Sequence, residues 1–125
     1  MNRYKLTVIG AGDRGNCYMN MLRQHYDDIL EWDTVCDILP GRMDKAYADY
    51  GFKNKETQWE KAIRESSPDI VIIAAPAYYH CDMAMFALRC GCHVLCEKPM
   101  DLSLGKCFAL KECAEQTGKV LAVGM

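Results

Sequence analysis

A run of six residues near the start of the chain has the spacing G-x-G-x-x-G: Gly10, Ala11, Gly12, Asp13, Arg14 and Gly15. In this spacing the first glycine permits a tight turn, the second lets the backbone approach a pyrophosphate, and the third lets a helix lie close to a strand. A helix that begins at the turn offers N–H groups and a positive dipole end to phosphates. The alternative is a glycine turn that binds nothing, because the pattern by itself is weak.

An acidic residue is expected about 20 positions beyond such a turn, where it accepts the ribose hydroxyls of a dinucleotide. Asp37 stands there, at the end of a predicted strand, and Ile38 follows it. The glycine turn, its distance from Asp37 in the sequence and the acidic side chain at that position together predict dinucleotide binding. A carboxylate at this place repels a 2′-phosphate, so NAD is expected and NADP is the less favoured cofactor. Arg42 leaves that choice open, because its guanidinium could pair with a 2′-phosphate, cover the adenine or be solvated.

A second group of residues, Cys96-Glu97-Lys98-Pro99, directly follows another predicted strand. Ligands of doubly wound sheets bind beyond the carboxyl ends of the strands, so Lys98 is placed to reach a substrate. Pro99 biases Lys98 toward an extended backbone, which aims the side chain off the strand end. The alternative is an ordinary surface lysine in a loop.

Short apolar runs alternate with helical patterns along the whole chain. Strands are predicted over residues 5–9, 33–36, 52–53, 70–74, 93–96 and 120–123. Helices are predicted over residues 14–25, 42–50, 58–65, 81–90 and 104–117. Thr57, with Glu60 completing a capping box, is predicted to cap the third helix, and Ser103 the last. The alternation predicts an α/β, Rossmann-like doubly wound domain over residues 1–125, with a mostly parallel sheet of about six strands and helices on both faces.

The composition excludes several classes of protein. The chain has 125 residues, of which 50% are hydrophobic and 26% are charged, with a net charge of −2. Disordered chains lack that much apolar surface. The longest apolar stretch, 70–77, is far shorter than the roughly 20 residues of a membrane-spanning helix. Without a basic excess, neither nucleic acid nor an anionic membrane is an expected partner.

Eight cysteines are many for a chain of this length. The N-terminal residues run straight into a strand without a secretory pattern, so a cytoplasmic location with reduced thiols is expected. We interpret the cysteines as buried small hydrophobes, with metal or redox chemistry as the alternative. Cys90, Cys92 and Cys96 do not supply the four ligands of a structural zinc site. No metal is therefore expected.

The motifs together resemble the Gfo/Idh/MocA oxidoreductase family over the whole chain. The resemblance rests on the glycine turn, Asp37, the segment Ala74-Ala75-Pro76 followed by His80, the block 93–99 and the ending Val123-Gly124. It implies that residues 10–15 hold the cofactor pyrophosphate, and that Asp37 holds the adenosine ribose. It also implies that Ala74, Ala75, Pro76 and His80 line the nicotinamide half. Glu97 would contact the nicotinamide ribose region, and Lys98 that ribose and the substrate hydroxyl. For His80, a satisfied structural histidine remains the alternative.

In that family a second α/β domain, which brings the substrate pocket, follows the place where this chain ends. The resemblance therefore implies the cofactor domain of an enzyme that transfers a hydride between the nicotinamide and a hydroxyl-bearing carbon of a sugar, polyol or related small molecule. An NAD-dependent glycosidase on the same scaffold and a stand-alone, non-catalytic dinucleotide-binding module are the alternatives. A homo-oligomer is expected, and residues 1–125 alone are not expected to turn over.

Overall fold

The computed structural model describes residues 3–76, 79–98 and 104–124. Within these residues the strands are β1 (Tyr4–Ile9), β2 (Leu30–Cys36), β3 (Asn54–Glu56), β4 (Ile70–Ile73), β5 (His93–Cys96) and β6 (Leu121–Val123). The helices are α1 (Asp13–His25), α2 (Pro40–Tyr50), α3 (Trp59–Ser66), α4 (His80–Arg89) and α5 (Leu104–Thr117). A 3-10 turn, Asp27–Ile29, precedes β2.

The six described strands form one sheet in the order β3-β2-β1-β4-β5-β6, and every neighbouring pair is parallel. This is the strand order of dinucleotide-binding Rossmann folds. It confirms the predicted doubly wound α/β architecture. The strand order reverses between β1 and β4. The segments that follow these two strands therefore run to opposite faces of the sheet, and a crevice opens between them at the carboxyl ends of the strands.

Two apolar clusters cover the two faces of the sheet. One face packs on α1 and α2 through side chains that include Leu6, Met19 and Met43. The other packs on α3, α4 and α5 through side chains that include Ile63, Leu88 and Leu110. Central strands are therefore apolar on both faces, which is why β4 reads as a continuous run of branched residues.

Several local predictions are wrong. The second strand begins at Leu30 rather than at residue 33, because it pairs with β1 along its whole length. The third strand lies at Asn54–Glu56 rather than at residues 52–53. Its polar composition fits its place at the edge of the sheet, and Phe52 is instead 3% exposed with its ring against Trp32. The second helix begins at Pro40 rather than at residue 42, and the missing N–H of proline costs nothing in a first turn.

The predicted capping box of the third helix is also absent. Gln58 is the N-cap residue of α3 and has no side-chain capping bond. The carboxylate of Glu56 accepts the N–H groups of Thr57 at 2.7 Å and Gln58 at 3.3 Å instead. Ser103 lies outside the described residues.

No helix among the described residues combines the length and apolarity that crossing a membrane requires. All eight cysteines lie among the described residues, and none of them forms a disulfide there. Burial is confirmed for Cys36, Cys81, Cys92, Cys96 and Cys113, and Cys107 is half-buried. Contrary to the prediction, Cys17 on α1 and Cys90 directly after α4 are exposed.

Candidate functional site at the strand ends

The carboxyl ends of β1, β2 and β4 are joined by backbone hydrogen bonds. The N–H of Gly10 donates to the carbonyl oxygen of Cys36 at 2.8 Å. The N–H of Ala74 donates to the carbonyl oxygen of Ile9 at 2.8 Å. These bonds hold the glycine turn, the Asp37 segment and the Ala74–Pro76 segment around one crevice at the switch point of the sheet, where open α/β sheets bind ligands.

Packing requires the first and third glycines of the turn. Gly10 has a φ of +100°, and a Cβ there would lie 2.6 Å from the carbonyl oxygen of Ala74. A Cβ on Gly15 would lie 2.0 Å from the carbonyl oxygen of Gly10. Both distances are impossible for a real side chain, so the turn and helix α1 can lie this close only with glycine at these positions.

The middle glycine has a different neighbour. A Cβ on Gly12 would lie 3.1 Å from Nη1 of Arg42, at the end of a flexible side chain. The guanidinium of Arg42 therefore lies over the glycine turn, and both Gly12 and Arg42 line the cavity of the crevice. Gly12 is required for open space above the backbone rather than for an unusual φ, which is −79°.

The start of α1 has the features of an anion-binding helix N-terminus. Gly12 is its N-cap residue, and no described side chain caps this helix. The first N–H groups of a helix lack partners within it and carry the positive end of its dipole. The side-chain amide of Asn16 donates to the carbonyl oxygens of Ala11 and Gly12, each at 2.9 Å, and these two bonds hold the turn in place.

Asp37 is buried, with 8% exposure, and both of its carboxylate oxygens accept backbone N–H groups. Oδ2 accepts from Ala11 at 2.8 Å, and Oδ1 accepts from Leu39 at 2.8 Å. The carboxylate is thus held in one orientation between the glycine turn and the segment after β2. The next side chain, Ile38, is 79% exposed at the rim of the crevice.

A cavity of about 420 Å³ occupies the crevice. Eight of the predicted cofactor-binding residues line it: Gly10, Gly12, Asp37, Ile38, Arg42, Ala74, Ala75 and Pro76. The lining residues that the motifs did not identify are Ile9, Cys36, Leu39, Thr57, Trp59, Tyr79 and Met83. Of these, Leu39 could have been found as an apolar residue directly after the strand end. Trp59 and Met83 come from helices distant in sequence, and no local pattern identifies them.

His80 does not line this cavity. It is 1% exposed at the start of α4, and its Nε2 is hydrogen bonded to the carbonyl oxygen of Ala75. A carbonyl oxygen can only accept, so Nε2 carries the hydrogen. His80 thus holds the Ala74–Pro76 segment against the crevice. Another histidine, His93, accepts the N–H of Val120 through Nδ1 at 3.0 Å.

Glu97 and Lys98 lie at the end of β5, outside the described cavity. Lys98 is exposed. Glu97 is 7% exposed, and its Oε2 accepts the hydroxyl of Tyr18 and, at 3.3 Å, Nη2 of Arg14. Burial alone would raise the pKa of Glu97, but the hydrogen bonds from Tyr18 and Arg14 outweigh it and leave the pKa below its ordinary value. Glu97 is therefore a carboxylate at neutral pH.

The predicted site residues thus fall into two groups along one edge of the sheet. The glycine turn, the Asp37 segment and the Ala74–Pro76 segment surround the cavity, whereas Arg14, Glu97 and Lys98 gather beside it. Ala11 and Gly15 are buried beneath the turn, and Asp13 is exposed in the first turn of α1. Among the described residues no cluster of three or more His, Cys, Asp or Glu could hold a metal ion.

The glycine cradle, the uncapped helix start, the oriented carboxylate and a cavity of this size fit a dinucleotide, and the fold is the one that binds dinucleotides. The chain matches the oxidoreductase family with an NAD-binding Rossmann fold (GFO_IDH_MocA) over residues 4–125. The chain belongs to this family, and the resemblance found in the motifs is confirmed. It is an NAD-binding oxidoreductase domain.

Curated relatives include an inositol 2-dehydrogenase of Salmonella paratyphi B, 29% identical over 92% of this chain and 34% of the relative. The D-glucoside 3-dehydrogenase of Escherichia coli is 30% identical over 94% of this chain and 33% of the relative. A glycosyl hydrolase family 109 protein of a Shewanella species is 26% identical over 95% of this chain and 28% of the relative. The chain spans about a third of the length of the curated relatives it matches.

Among solved structures, the WlbA dehydrogenase of Chromobacterium violaceum, in complex with NADH and UDP-GlcNAcA, is similar with a TM-score of 0.92. It is 25% identical, over 99% of this chain and 35% of that one. The likeness extends over the whole described sheet and its helices.

Proposed function

We propose that this domain holds NAD in an enzyme that transfers a hydride between the cofactor and a hydroxyl-bearing carbon of a sugar, polyol or related small molecule. The observation that carries the proposal is the position of the cavity. It is enclosed by the glycine turn, Asp37 and the Ala74–Pro76 segment, and Lys98 lies exposed on the same edge of the sheet. The dehydrogenase names of several relatives support the reaction class.

Different groups of residues would hold different parts of the cofactor. The backbone of residues 10–15, at the start of α1, would hold the pyrophosphate. Asp37 would accept the adenosine ribose hydroxyls with the lone pairs that Ala11 and Leu39 leave, beside Ile38 and Arg42. The Ala74–Pro76 segment, which His80 holds in place, would face the nicotinamide half together with Glu97.

Bound NAD supplies the hydride acceptor at C4 of the nicotinamide. Lys98 would donate a hydrogen bond to the substrate hydroxyl oxygen, orient it and help relay its proton as the carbonyl forms. The proton acceptor that completes the reaction would come from a substrate domain.

Calorimetric titration of the purified chain with NAD⁺ and NADP⁺ tests the cofactor part of the proposal. We expect saturable binding of NAD⁺, and weaker binding of NADP⁺ because the Asp37 carboxylate repels a 2′-phosphate. Absence of NAD⁺ binding by a folded chain would refute the proposal. Equal binding of both would refute only the role of Asp37 in selection and would indicate that Arg42 pairs with the 2′-phosphate.

Lys98→Met tests the catalytic part in a protein that also carries a substrate domain. We expect kcat to fall by about 10²–10⁴, the usual size of a lost acid–base contribution, while NAD affinity changes by only a few-fold. The exposed Lys106→Met, in α5, is the matched control. An unchanged kcat in Lys98→Met would mean that the reaction is carried out by other residues.

A second candidate is an NAD-dependent glycosidase, which oxidises and re-reduces its sugar without net redox change. The similarity to the family 109 glycosyl hydrolases of Shewanella favours it. Glycoside cleavage without accumulation of NADH would distinguish it from a dehydrogenase.

We also infer self-association and a cytoplasmic location, as the sequence predicts. The exposed apolar side chains of Leu104, Phe108 and Val120 border a cavity of about 680 Å³ between α5 and β6, and support the first inference. Exposed apolar patches mark interaction surfaces. Sedimentation of the wild-type chain and of Phe108→Glu would test it, and cell fractionation would test the location.

A further inference from the structure

Three elements meet at the carboxylate of Glu97. Its own N–H donates to the carbonyl oxygen of Ile73 at 2.9 Å, which ties its backbone to β4. The hydroxyl of Tyr18 and the guanidinium of Arg14 both reach Oε2 of Glu97 from α1. One buried oxygen thus joins the helix that starts at the glycine turn to the loop that carries Lys98.

Gly124 closes this contact from the end of β6. Its N–H donates to the carbonyl oxygen of Cys96 at 2.7 Å. A Cβ on Gly124 would lie 1.9 Å from the hydroxyl oxygen of Tyr18 and 3.3 Å from Oε2 of Glu97. The phenol ring therefore has its present position only because residue 124 has no side chain.

The charges of the group are defined. Burial, and then the hydrogen bond to Glu97, raise the pKa of Tyr18 above its ordinary value, so its hydroxyl stays protonated and donates. The guanidinium of Arg14 lies 5.7 Å from the centre of the Tyr18 ring. It also pairs with Glu97, although its own side chain is 53% exposed. Besides these two side chains, the backbone N–H of Lys98 donates to the same carboxylate.

We propose that Tyr18 and Arg14 are positioning residues, which hold Glu97, and through it the Lys98 loop, in the orientation that receives the nicotinamide half of the cofactor. The inference rests on the proposed function. Within the glycine motif, Arg14 then acts through Glu97 rather than on the pyrophosphate. Tyr18 stands outside the motif, and its role follows from its contact with Glu97.

Loss of the Tyr18 contact should affect binding of the nicotinamide half of the cofactor but not binding of the adenosine diphosphate half. Loss of the Tyr18 hydroxyl releases Glu97 and the Lys98 loop but leaves the glycine turn, the start of α1 and Asp37 in place. Binding of NAD⁺ should therefore weaken, whereas binding of ADP, which lacks the nicotinamide and its ribose, should not. A general loss of folded structure would weaken both ligands.

The experiment is calorimetric titration of the full chain with NAD⁺ and with ADP, for the wild type and Tyr18→Phe. We expect the Kd for NAD⁺ to rise about 10- to 150-fold, the range for a lost hydrogen bond to a charged group, and the Kd for ADP to stay within about two-fold. Tyr50→Phe is the matched control. The Tyr50 hydroxyl donates at 2.5 Å to Asn20, which lies on α1 as Tyr18 does. This substitution should change neither Kd.

Two further variants test the same contact by other routes. Gly124→Ala should displace the Tyr18 hydroxyl and raise the Kd for NAD⁺ as Tyr18→Phe does. Glu97→Gln should weaken NAD⁺ binding too, and adding Tyr18→Phe to it should cost less than Tyr18→Phe costs alone, because both act through one contact. Fully additive effects would overturn the proposal.

A measurement without cofactor tests the contact between Tyr18 and Glu97 separately from the proposed function. Carboxyl-carbon NMR of the wild type and Tyr18→Phe should show the Glu97 titration at higher pH in the variant. If the wild type binds neither ligand, the proposed function fails while this titration still tests the contact. Equal loss of NAD⁺ and ADP binding, no loss of either, or an unmoved Glu97 titration would overturn the proposal.

Discussion

The carboxylate of Asp37 accepts the backbone N–H of Ala11 at 2.8 Å, so the residue that ends the second strand also holds the glycine turn that ends the first. An acid that is expected to bind a ribose is therefore also a structural part of the turn. Cofactor binding and the shape of the phosphate cradle consequently depend on the same side chain.

Asp37→Asn should reduce both stability and NAD⁺ affinity. An asparagine side chain offers one acceptor oxygen where the carboxylate offers two, so either the Ala11 or the Leu39 N–H would face an amide donor. We expect the free energy of unfolding in urea to fall by about 1–3 kcal/mol, the cost of an unsatisfied buried group. Asp28→Asn, at an exposed position in the 3-10 turn, should stay within about 0.5 kcal/mol of the wild type. Unchanged stability in Asp37→Asn would contradict the dual role.

Alanine at the glycines of the turn should produce two different phenotypes. Gly15→Ala places a Cβ 2.0 Å from a backbone oxygen and should prevent stable folding. Gly12→Ala meets only the end of the Arg42 side chain at 3.1 Å, which can move, so this variant should fold but bind NAD⁺ poorly. Circular dichroism and calorimetry would separate the two.

Gly41→Ala is the control for these substitutions. Nothing lies within 4 Å of its added Cβ, and the position is inside α2. Alanine should therefore stabilise the chain by about 0.5–1 kcal/mol through helix propensity. A Gly15→Ala chain as stable as the wild type would contradict the close approach of helix α1 to the turn.

Acid should remove the contribution of Glu97 to stability. Because its pKa is lower in the folded chain than the ordinary 4.5, the contribution is fully present above about pH 4.5 and is lost as the pH falls through the folded value. The stability difference between the wild type and Glu97→Gln should therefore be constant near neutral pH and shrink on acidification. Urea unfolding at a series of pH values measures it, with the exposed Glu112→Gln as control. A stability difference between the wild type and Glu97→Gln that grows as the pH falls would contradict this prediction.

Alkylation should divide the cysteines into two classes. Cys17 and Cys90 are exposed and should react first with iodoacetamide at neutral pH. Burial raises the pKa of Cys36 to about 12 and that of Cys92 to about 11, so these two thiols lack both access and thiolate. Mass spectrometry of the labelled chain would rank the sites, and all eight should react in denaturant. Rapid native labelling of Cys36 would show that β2 opens at the crevice.

The sequence by itself determined the elements and the turn. The glycine spacing, the apolar runs and the helix stops depend on neighbours close in the chain, and they predicted the order of strands and helices and the position of Asp37. Local patterns were wrong where a contact from elsewhere decided the outcome. Phe52 reads as a strand residue but is buried against Trp32, and the Thr57 cap is replaced by the Glu56 carboxylate.

Only the tertiary structure decided which side chains share the site. Trp59 and Met83 reach the cavity because α3 and α4 pack on the face of the sheet beside it, and no spacing in the chain encodes that distance. The contact of Tyr18 with Glu97 joins residues far apart in sequence, and a parallel sheet brings them together because its strands all end at one edge. The assembly of these groups is a property of the crossover order, whereas their chemical types are a property of the sequence.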